Sequence, residues 1–164
     1  MPAQEISFLQ HIPAFGALTP TTLSFILQHA SFVSTAKGHY FYQENDPADS
    51  FFVLETGKVT ILKNWNGHEF QLRNLEAGDC FGEMALIDMM PRSASVQAIT
   101  DCVALELNID DLYKLYEHDI EQFLILYMNL AREVSRRLRA ADRRLFEFDV
   151  SNNRSAADLA AHST

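Results

Sequence analysis

The chain has 164 residues, of which 48 % are hydrophobic, so it is long enough for one domain with a substantial core and one appended element. Its net charge of −9 opposes non-specific attraction to nucleic-acid phosphates, and no apolar run is long enough for a membrane span or a secretory signal. The two cysteines, Cys80 and Cys102, lack metal-binding or redox spacing. These features predict a soluble cytoplasmic protein.

The first segment, roughly 5–30, is predicted to form short helices. Thr19 followed by Pro20 is a typical helix start, an N-cap residue with proline at the first helical position. Apolar residues then recur at helical spacing as far as Ala30. One face of this helix is therefore expected to pack against the rest of the domain.

From about 32 to 108 the pattern changes to short strands separated by turns. Apolar and polar residues alternate in several runs, which is typical of strands with one buried face. Asn66-Gly67 predicts a type I′ hairpin turn, in which both central residues have positive φ. Many short antiparallel strands joined by tight turns predict a mainly β, α+β fold with an antiparallel β-barrel of the jelly-roll type, or double-stranded β-helix.

After Leu107 the apolar spacing becomes helical. Asn108 with Asp111 predicts the start of a short helix, and Asp119 with Gln122 resembles a capping box that opens a long one. In that long helix, apolar residues follow alternating steps of four and three over about four heptads, which favours a coiled coil. This heptad seam comprises Ile120, Leu124, Tyr127, Ala131, Val134, Leu138, Ala141, Leu145 and Phe148.

The predicted organisation is a barrel domain with N-terminal helices over 1–118, a long helix over 119–148 and a flexible tail over 149–164. The seam allows two arrangements, a parallel homodimer with a second chain or a helix folded back over the barrel mouth of a monomer. The dimer is favoured because the seam is longer than the barrel is wide. Six arginines of the 13 Lys+Arg lie between 132 and 144, and we interpret them as a solvated helix face.

One segment, residues 81–96 (FGEMALIDMMPRSASV), interrupts the strand pattern. Residues 84–87 can form about one helical turn, whose first N–H groups lack internal partners and attract an anion. Arg92 has a planar fork suited to phosphate oxygens, and Ser93 adds a hydroxyl donor. Glu83 is an acceptor that suits a sugar hydroxyl. Together these groups predict a site for an anionic ring with an adjacent hydroxyl.

The same segment resembles the phosphate-binding cassette of the cyclic nucleotide-binding domain family, the fold of catabolite activator protein and of protein kinase A regulatory subunits. The family pattern F-G-E-[LM]-A-L, followed by P-R-[STA]-A-[ST]-V, is matched almost without departure. A second stretch, 45–59, also matches, with Asn45 in place of the usual glycine. Asparagine tolerates positive φ, so this change is mild. The resemblance covers residues 6 to about 148.

The resemblance implies a role for each cassette residue. Glu83 accepts from the ribose 2′-hydroxyl, Arg92 pairs with the cyclic phosphate and Ser93 donates to it, while backbone N–H groups of the cassette complete a phosphate cradle. Three barrel residues are candidate walls for the sugar and base. The full set of expected ligand-binding residues is Gly82, Glu83, Met84, Ala85, Arg92, Ser93, Phe70, Leu72 and Val59.

The long helix is where the resemblance is less complete. In catabolite activator protein two adjacent hydroxyl residues contact the adenine, and Ala141 and Asp142 occupy those positions here. Leu138 and Arg139 complete the set of residues expected to cover the base. Arg139 or Arg143 would either stack on the base or face solvent, and the solvent-facing role is favoured for each.

The predicted function is a stand-alone, non-enzymatic receptor that binds cAMP, or alternatively cGMP, and signals to an effector protein by conformational change. No cofactor or metal is expected, because the sequence has no catalytic motif and no ligand-like histidine spacing. Fewer than twenty residues follow Phe148, too few for a DNA-binding module, so no DNA binding is expected. No membrane contact is expected, because no apolar run is long enough for a span. The alternative is a degenerate barrel that acts as a ligand-independent protein-interaction scaffold.

Overall fold

A computed structural model describes residues 2–161 of the chain, with side chains placed for residues 4–152. The chain divides into two compact units, Met1–Leu130 and Ala131–Thr164. Among the described residues, no helix combines the length and the apolar character needed to cross a bilayer.

The first unit begins with two short helices, α1 (Pro2–Gln10) and α2 (Pro20–His29), joined through a 3₁₀ turn at Pro13–Phe15. The predicted start of α2 is confirmed, because Thr19 Oγ1 accepts a hydrogen bond from the backbone N–H of Thr22 at 3.2 Å. The apolar face of α2 is buried, as the helical spacing of its residues predicted.

Eight strands follow and form two antiparallel four-stranded sheets, with the orders β1-β8-β3-β6 and β2-β7-β4-β5. The predicted jelly-roll architecture is confirmed in the form of two sheets. The strands are β1 (Ser31–Thr35), β2 (Tyr40–Tyr42), β3 (Ser50–Thr56), β4 (Lys58–Trp65), β5 (His68–Glu76), β6 (Cys80–Phe81), β7 (Ser95–Ala98) and β8 (Cys102–Asn108). Asn66 and Gly67, between β4 and β5, have φ values of 51° and 81°, which confirms the predicted hairpin turn.

Strand β3 supplies side chains to two separate hydrophobic clusters. Phe51 and Val53 belong to a cluster shared with the helices of the first unit, whereas Phe52 and Leu54 belong to a cluster shared with strands of both sheets. Because successive side chains of a strand point to opposite faces, a strand between two cores must be apolar at every position. This double burial explains the continuous apolar run 51–54.

Three further helices complete the fold, namely α3 (Met84–Asp88), α4 (Ile109–His118) and α5 (Ile120–Ala161). The predicted start of α4 is a complete capping box, since Asn108 Oδ1 accepts from Asp111 N–H at 2.9 Å and Asp111 Oδ2 accepts from Asn108 N–H at 3.2 Å.

The start of α5 differs from a capping box in one bond. Asp119 Oδ1 accepts from Gln122 N–H at 3.1 Å, as expected. The Gln122 side-chain oxygen, however, accepts from the backbone N–H of Thr19 at 2.9 Å. The amide that would have closed the capping box therefore ties the start of α5 to the start of α2.

The long helix also continues beyond its predicted end at Phe148. Helix α5 runs to Ala161 and so includes most of the stretch 149–164 that was predicted to be a flexible tail; residues 162–164 lie outside the described residues. No glycine or proline follows Pro91, and the segment 156–161 is rich in alanine, the strongest helix former. The polar composition of this stretch was therefore a poor guide to where the helix ends.

The capping box at Asn108 gives a stability prediction. We expect Asn108→Ala to lower the free energy of unfolding by about 1 kcal/mol, because the N–H of Asp111 loses its acceptor. Asn108→Ser should lower the free energy of unfolding by only a few tenths of a kcal/mol, since serine is also a good N-cap residue. Urea denaturation of the three proteins measures both effects, and equal losses in the two variants would contradict the capping role.

Candidate functional site

The predicted cassette connects β6 to β7 by way of the one short helix α3. Gly82 follows β6 with a φ of 83°, a conformation that L side chains rarely adopt, and Glu83 is the N-cap of α3. The helix ends at Met89, whose left-handed φ of 56° turns the chain back towards β7. The first N–H groups of α3 have no acceptor within the helix, as in every α-helix. The sequence therefore produces the turn of helix that was predicted.

Arg92 is the centre of the site. Its side chain is buried, with 5 % of its surface exposed. Nη1 donates to the backbone carbonyls of Ser50 at 2.7 Å and Gly82 at 3.1 Å, and Nη2 donates to Ser50 Oγ at 3.1 Å. The guanidinium carbon also lies 4.1 Å from the ring centroid of Tyr42 and 5.7 Å from that of Phe52.

This guanidinium has no direct anionic partner among the described residues. Its acceptors are two carbonyls and one hydroxyl, and Nε has no hydrogen-bond partner there. Burial lowers the pKa of Arg92 below its ordinary value, an effect opposed by the nearby acidic groups of Tyr42, Asp49, Glu106 and Asp46. Because arginine stays protonated in proteins, the result is a buried positive charge that an anion would neutralise.

Gly82 is required for the position of this side chain. A Cβ added to Gly82 would lie 2.6 Å from Arg92 Nη1, and 3.3 Å from both Ser50 O and Tyr42 Oη. The glycine therefore serves two purposes. It supplies the positive φ of the turn, and it lets the guanidinium lie directly against the backbone of the cassette.

The main chain of Arg92 is held by the loop between β2 and β3. Its carbonyl accepts from Asn45 N–H, and its N–H donates to Asp46 O, both at 2.9 Å. Asn45 has a φ of 71°, so it does adopt the conformation of the glycine that it replaces. This pair of bonds explains why the motif around Asn45 and the cassette belong together.

Ser93 lies at the surface beside the first residue of α3. Its hydroxyl is 4.0 Å from Met84 Sδ, a weak acceptor that an anionic oxygen would readily replace. Its carbonyl accepts from Lys63 Nζ at 2.6 Å, and the same ammonium forms an ion pair with Glu44 at 2.5 Å. Lys63 therefore fixes the chain that carries Ser93, while its charge is paired with Glu44.

The remaining predicted ligand residues fall into two groups. Glu83 and Ala85 are buried in the cassette, and Val59 is fully buried in the cluster shared by the two sheets. Phe70 and Leu72, in contrast, are 54 % and 53 % exposed on β5, which is an edge strand. An open edge leaves their apolar surface available, and their role as walls for a sugar and base stays a prediction.

The four residues predicted to cover a base lie on the part of α5 that belongs to the second unit. All four have exposed side chains, and their role also stays a prediction. They are Leu138, Arg139, Ala141 and Asp142.

Sequence reasoning missed the residues that hold the arginine. Ser50 provides two of its acceptors, and Tyr42 and Phe52 supply the aromatic faces against it. The signals available in the sequence were weak, namely a serine directly before an apolar run and an aromatic-rich segment at 40–42. Among the described residues, no cluster of His, Cys, Asp and Glu could hold a metal ion.

Comparison with known proteins supports the identification of residues 81–96 as part of a cyclic nucleotide-binding domain. The family model for the cyclic nucleotide-binding domain matches residues 32–119, more than half of the chain. The chain is 31 % identical over 150 residues to the cyclic AMP receptor protein of Thermus thermophilus, covering 90 % of this chain and 68 % of that protein. It is 34 % identical over 109 residues to the cAMP-dependent protein kinase regulatory subunit of Aspergillus niger, covering 66 % of this chain.

The length of these relatives differs from that of this chain. The matched part corresponds to only 26 % of the fungal regulatory subunit. The fold agrees with a solved structure as well, because the crystal structure of the Thermus thermophilus catabolite activator protein superposes with a TM-score of 0.73 at 30 % identity. That match covers 84 % of this chain and 63 % of the other.

The contact between Gly82 and Arg92 gives a second stability prediction. We expect Gly82→Ala to lower the free energy of unfolding by about 1–3 kcal/mol from backbone strain alone, and by more because the methyl group displaces the guanidinium. Gly38→Ala is the matched control, since Gly38 has a φ of 85° and an added Cβ there would meet nothing within 4 Å. Equal losses in urea denaturation would show that Arg92 does not pack against Gly82 in solution.

Proposed function

Because the chain belongs to the cyclic nucleotide-binding domain family, we propose that it is a non-enzymatic receptor for a 3′,5′-cyclic purine nucleotide. The preferred ligand is cAMP, and cGMP is the alternative. The names of the relatives favour cAMP, since both the Thermus receptor and the fungal regulatory subunit are named for it.

The observation that carries this proposal is the buried guanidinium of Arg92, whose hydrogen-bond acceptors are all neutral. A buried charge is costly unless it is paired, so the apo site favours an incoming anion. The two oxygens of a cyclic phosphate match the planar fork of arginine. Ligand binding would supply the anionic acceptor that the two carbonyls and the hydroxyl do not provide.

The other cassette groups suit the rest of a cyclic nucleotide. The N–H groups at the start of α3 would donate to the phosphate, with the Ser93 hydroxyl beside them. Glu83, buried at the N-cap of that helix, is the acceptor for a ribose 2′-hydroxyl. The proposed reaction is binding alone, and no residue is assigned a catalytic role or a cofactor.

Signalling would follow from unequal affinity of the ligand for two arrangements of the domain. We assign this change to α3 and the helices after β8, and the altered surface would engage an effector protein in the cytoplasm. We further propose that the chain forms a parallel homodimer through the heptad seam. In the second unit, seam residues Leu138, Leu145 and Phe148 are exposed large apolar side chains, and a coiled-coil partner would bury them.

Calorimetric titration with cAMP and cGMP tests the binding proposal. We expect saturable binding to the wild type and a loss of at least about 30-fold, about 2 kcal/mol, in Arg92→Leu. The affinity of Arg92→Lys should lie between those of the wild type and Arg92→Leu, because lysine retains the positive charge but not the planar fork of arginine. Arg136→Leu is the matched control, a mutation of an exposed arginine on α5 that should leave the affinity unchanged. Absence of binding to the wild type would instead favour the ligand-independent scaffold.

The role of Glu83 is tested with 2′-deoxy-cAMP. The wild type should bind this analogue about tenfold or more weakly than cAMP, because the carboxylate loses its hydroxyl partner. Glu83→Ala should bind the two ligands with equal affinity, since the two changes remove the same interaction. If Glu83→Ala still bound cAMP more tightly than 2′-deoxy-cAMP by the wild-type factor, the 2′-hydroxyl would have another partner than Glu83.

Light scattering tests the homodimer. We expect a dimer mass for the wild type and a shift towards the monomer for Leu138→Glu and for Leu145→Glu, which place charges in the seam. Phe146→Glu is the control, because Phe146 is equally exposed and adjacent in sequence but lies off the seam. A monomer mass for the wild type at high concentration, with and without nucleotide, would overturn the proposed dimer.

A further inference from the structure

A concave surface in the first unit is formed by part of the cassette together with the helices that follow β8. It is an apolar groove of about 510 Å³ between α3, α4 and the first turns of α5. Leu86 and Leu112 are its buried members. The side chains along it are Met89, Ile109, Tyr113, Tyr116, Phe123 and Tyr127.

Much of this apolar surface is exposed to solvent. Met89 is 81 % exposed, and Ile109, Tyr113 and Tyr116 are also exposed large apolar residues. Contiguous exposed apolar surface is unusual on a soluble domain and marks a site of interaction. Methionine is common on surfaces that bind helices because its flexible thioether adapts to different partners, and tyrosine rings add faces on which cations can stack.

The elements that form the groove carry an excess of negative charge. Lys114 is the only lysine or arginine in α3, in α4 or in residues 120–130, and it is already paired with Asp111 at 3.0 Å. Four further carboxylates on these elements are exposed, namely those of Asp88, Asp110, Glu117 and Glu121. A ligand for this groove therefore needs apolar groups in its centre and positive charge at its margins.

The groove is connected directly to the cassette. Helix α3 provides Leu86 to the groove and begins at the proposed phosphate cradle. The hydroxyl of Tyr127 donates to the carbonyl of Leu86 at 3.4 Å. Ring contacts then join Tyr127 to Phe123, Phe123 to Tyr116 and Tyr116 to Tyr113, with centroids 5.5–5.9 Å apart. Any displacement of α3 on ligand binding would therefore change the shape of the groove.

We propose that this groove binds a basic amphipathic helix of an effector protein, and that cyclic nucleotide changes its affinity for that helix. The proposal rests on the function proposed above and assigns its output surface. A helix with apolar residues at positions i, i+3, i+4 and i+7 would fill the centre of the groove, while lysine or arginine on its flanks meets the carboxylates. An anionic membrane is the wrong partner, because the acidic margin repels its surface.

The test uses a fluorescein-labelled, acetylated peptide of about 18 residues, five helical turns, with leucine at helical spacing and lysine elsewhere. Fluorescence anisotropy should give saturable binding to the full-length protein that weakens with added salt. A scrambled peptide of the same composition, without an apolar face, and a peptide with glutamate in place of lysine should both bind at least about tenfold more weakly. Saturation with cAMP should change the affinity for the leucine–lysine peptide by about fivefold or more.

Two variants locate the site. Tyr113→Glu and Glu117→Lys should each weaken peptide binding about tenfold or more, because one places a charge in the groove and the other reverses the charge of its margin. Trp65→Glu is the control, since Trp65 is an exposed aromatic residue on the β4–β5 hairpin, which contributes no residue to the groove. Unchanged calorimetric affinity for cAMP in all three variants, measured without peptide, shows that they fold.

The outcomes separate this inference from the proposed function. One outcome is that calorimetry detects cAMP binding while the peptide does not bind, or binds equally well to Tyr113→Glu. That outcome overturns the proposed role of the groove but does not contradict the proposed receptor function. Peptide binding without any cAMP binding overturns the receptor and the coupling. If sedimentation shows self-association of the wild type that Tyr113→Glu abolishes, then the occupant is a second copy of this chain and the proposed effector helix is wrong.

Discussion

The site depends on one constraint, the accommodation of the Arg92 guanidinium inside the protein without an ion pair. Two carbonyls and a hydroxyl accept its hydrogen bonds, and two aromatic rings cover its faces. Neutral acceptors orient the group without neutralising it. Much of the local structure is explained by this requirement, because the carbonyls come from the start of β3 and from Gly82, and the backbone of Arg92 is fixed by the loop at Asn45 and Asp46.

The proposed receptor and the proposed effector surface share the short helix α3. Its N-terminus belongs to the proposed phosphate cradle, while its Leu86 lies in the apolar groove and accepts a hydrogen bond from Tyr127. A five-residue helix has too few internal hydrogen bonds to be stable alone, so its position is set by what contacts its two ends. The proposed coupling between the nucleotide and the effector helix would therefore pass through α3.

The parts of the structure that the sequence predicted correctly are those that depend on neighbouring residues. The turn at Asn66-Gly67, the caps at Thr19 and Asn108 and the helical turn after Gly82 all follow from the local chemistry of the chain. The partners of Arg92 could not be found in this way, since Ser50 lies 42 positions earlier and becomes a neighbour only through the pairing of β3 with β6. The end of α5 was missed for another reason. The polar composition of residues 149–164 predicted a tail, but no glycine or proline lies between Pro91 and Ala161 to end this helix.

Strand β3 has a consequence for how this domain can change in evolution. Its alternate residues, Phe51 with Val53 and Phe52 with Leu54, lie in two different clusters on one backbone. A change of side-chain volume in either cluster shifts the main chain of β3, and because protein interiors are densely packed, that shift is transmitted to the other cluster. Substitutions that change the volume of the cluster on the helical side would also shift the Ser50 carbonyl, which accepts a hydrogen bond from Arg92. We therefore expect the sequence of β3 to be among the least free to vary.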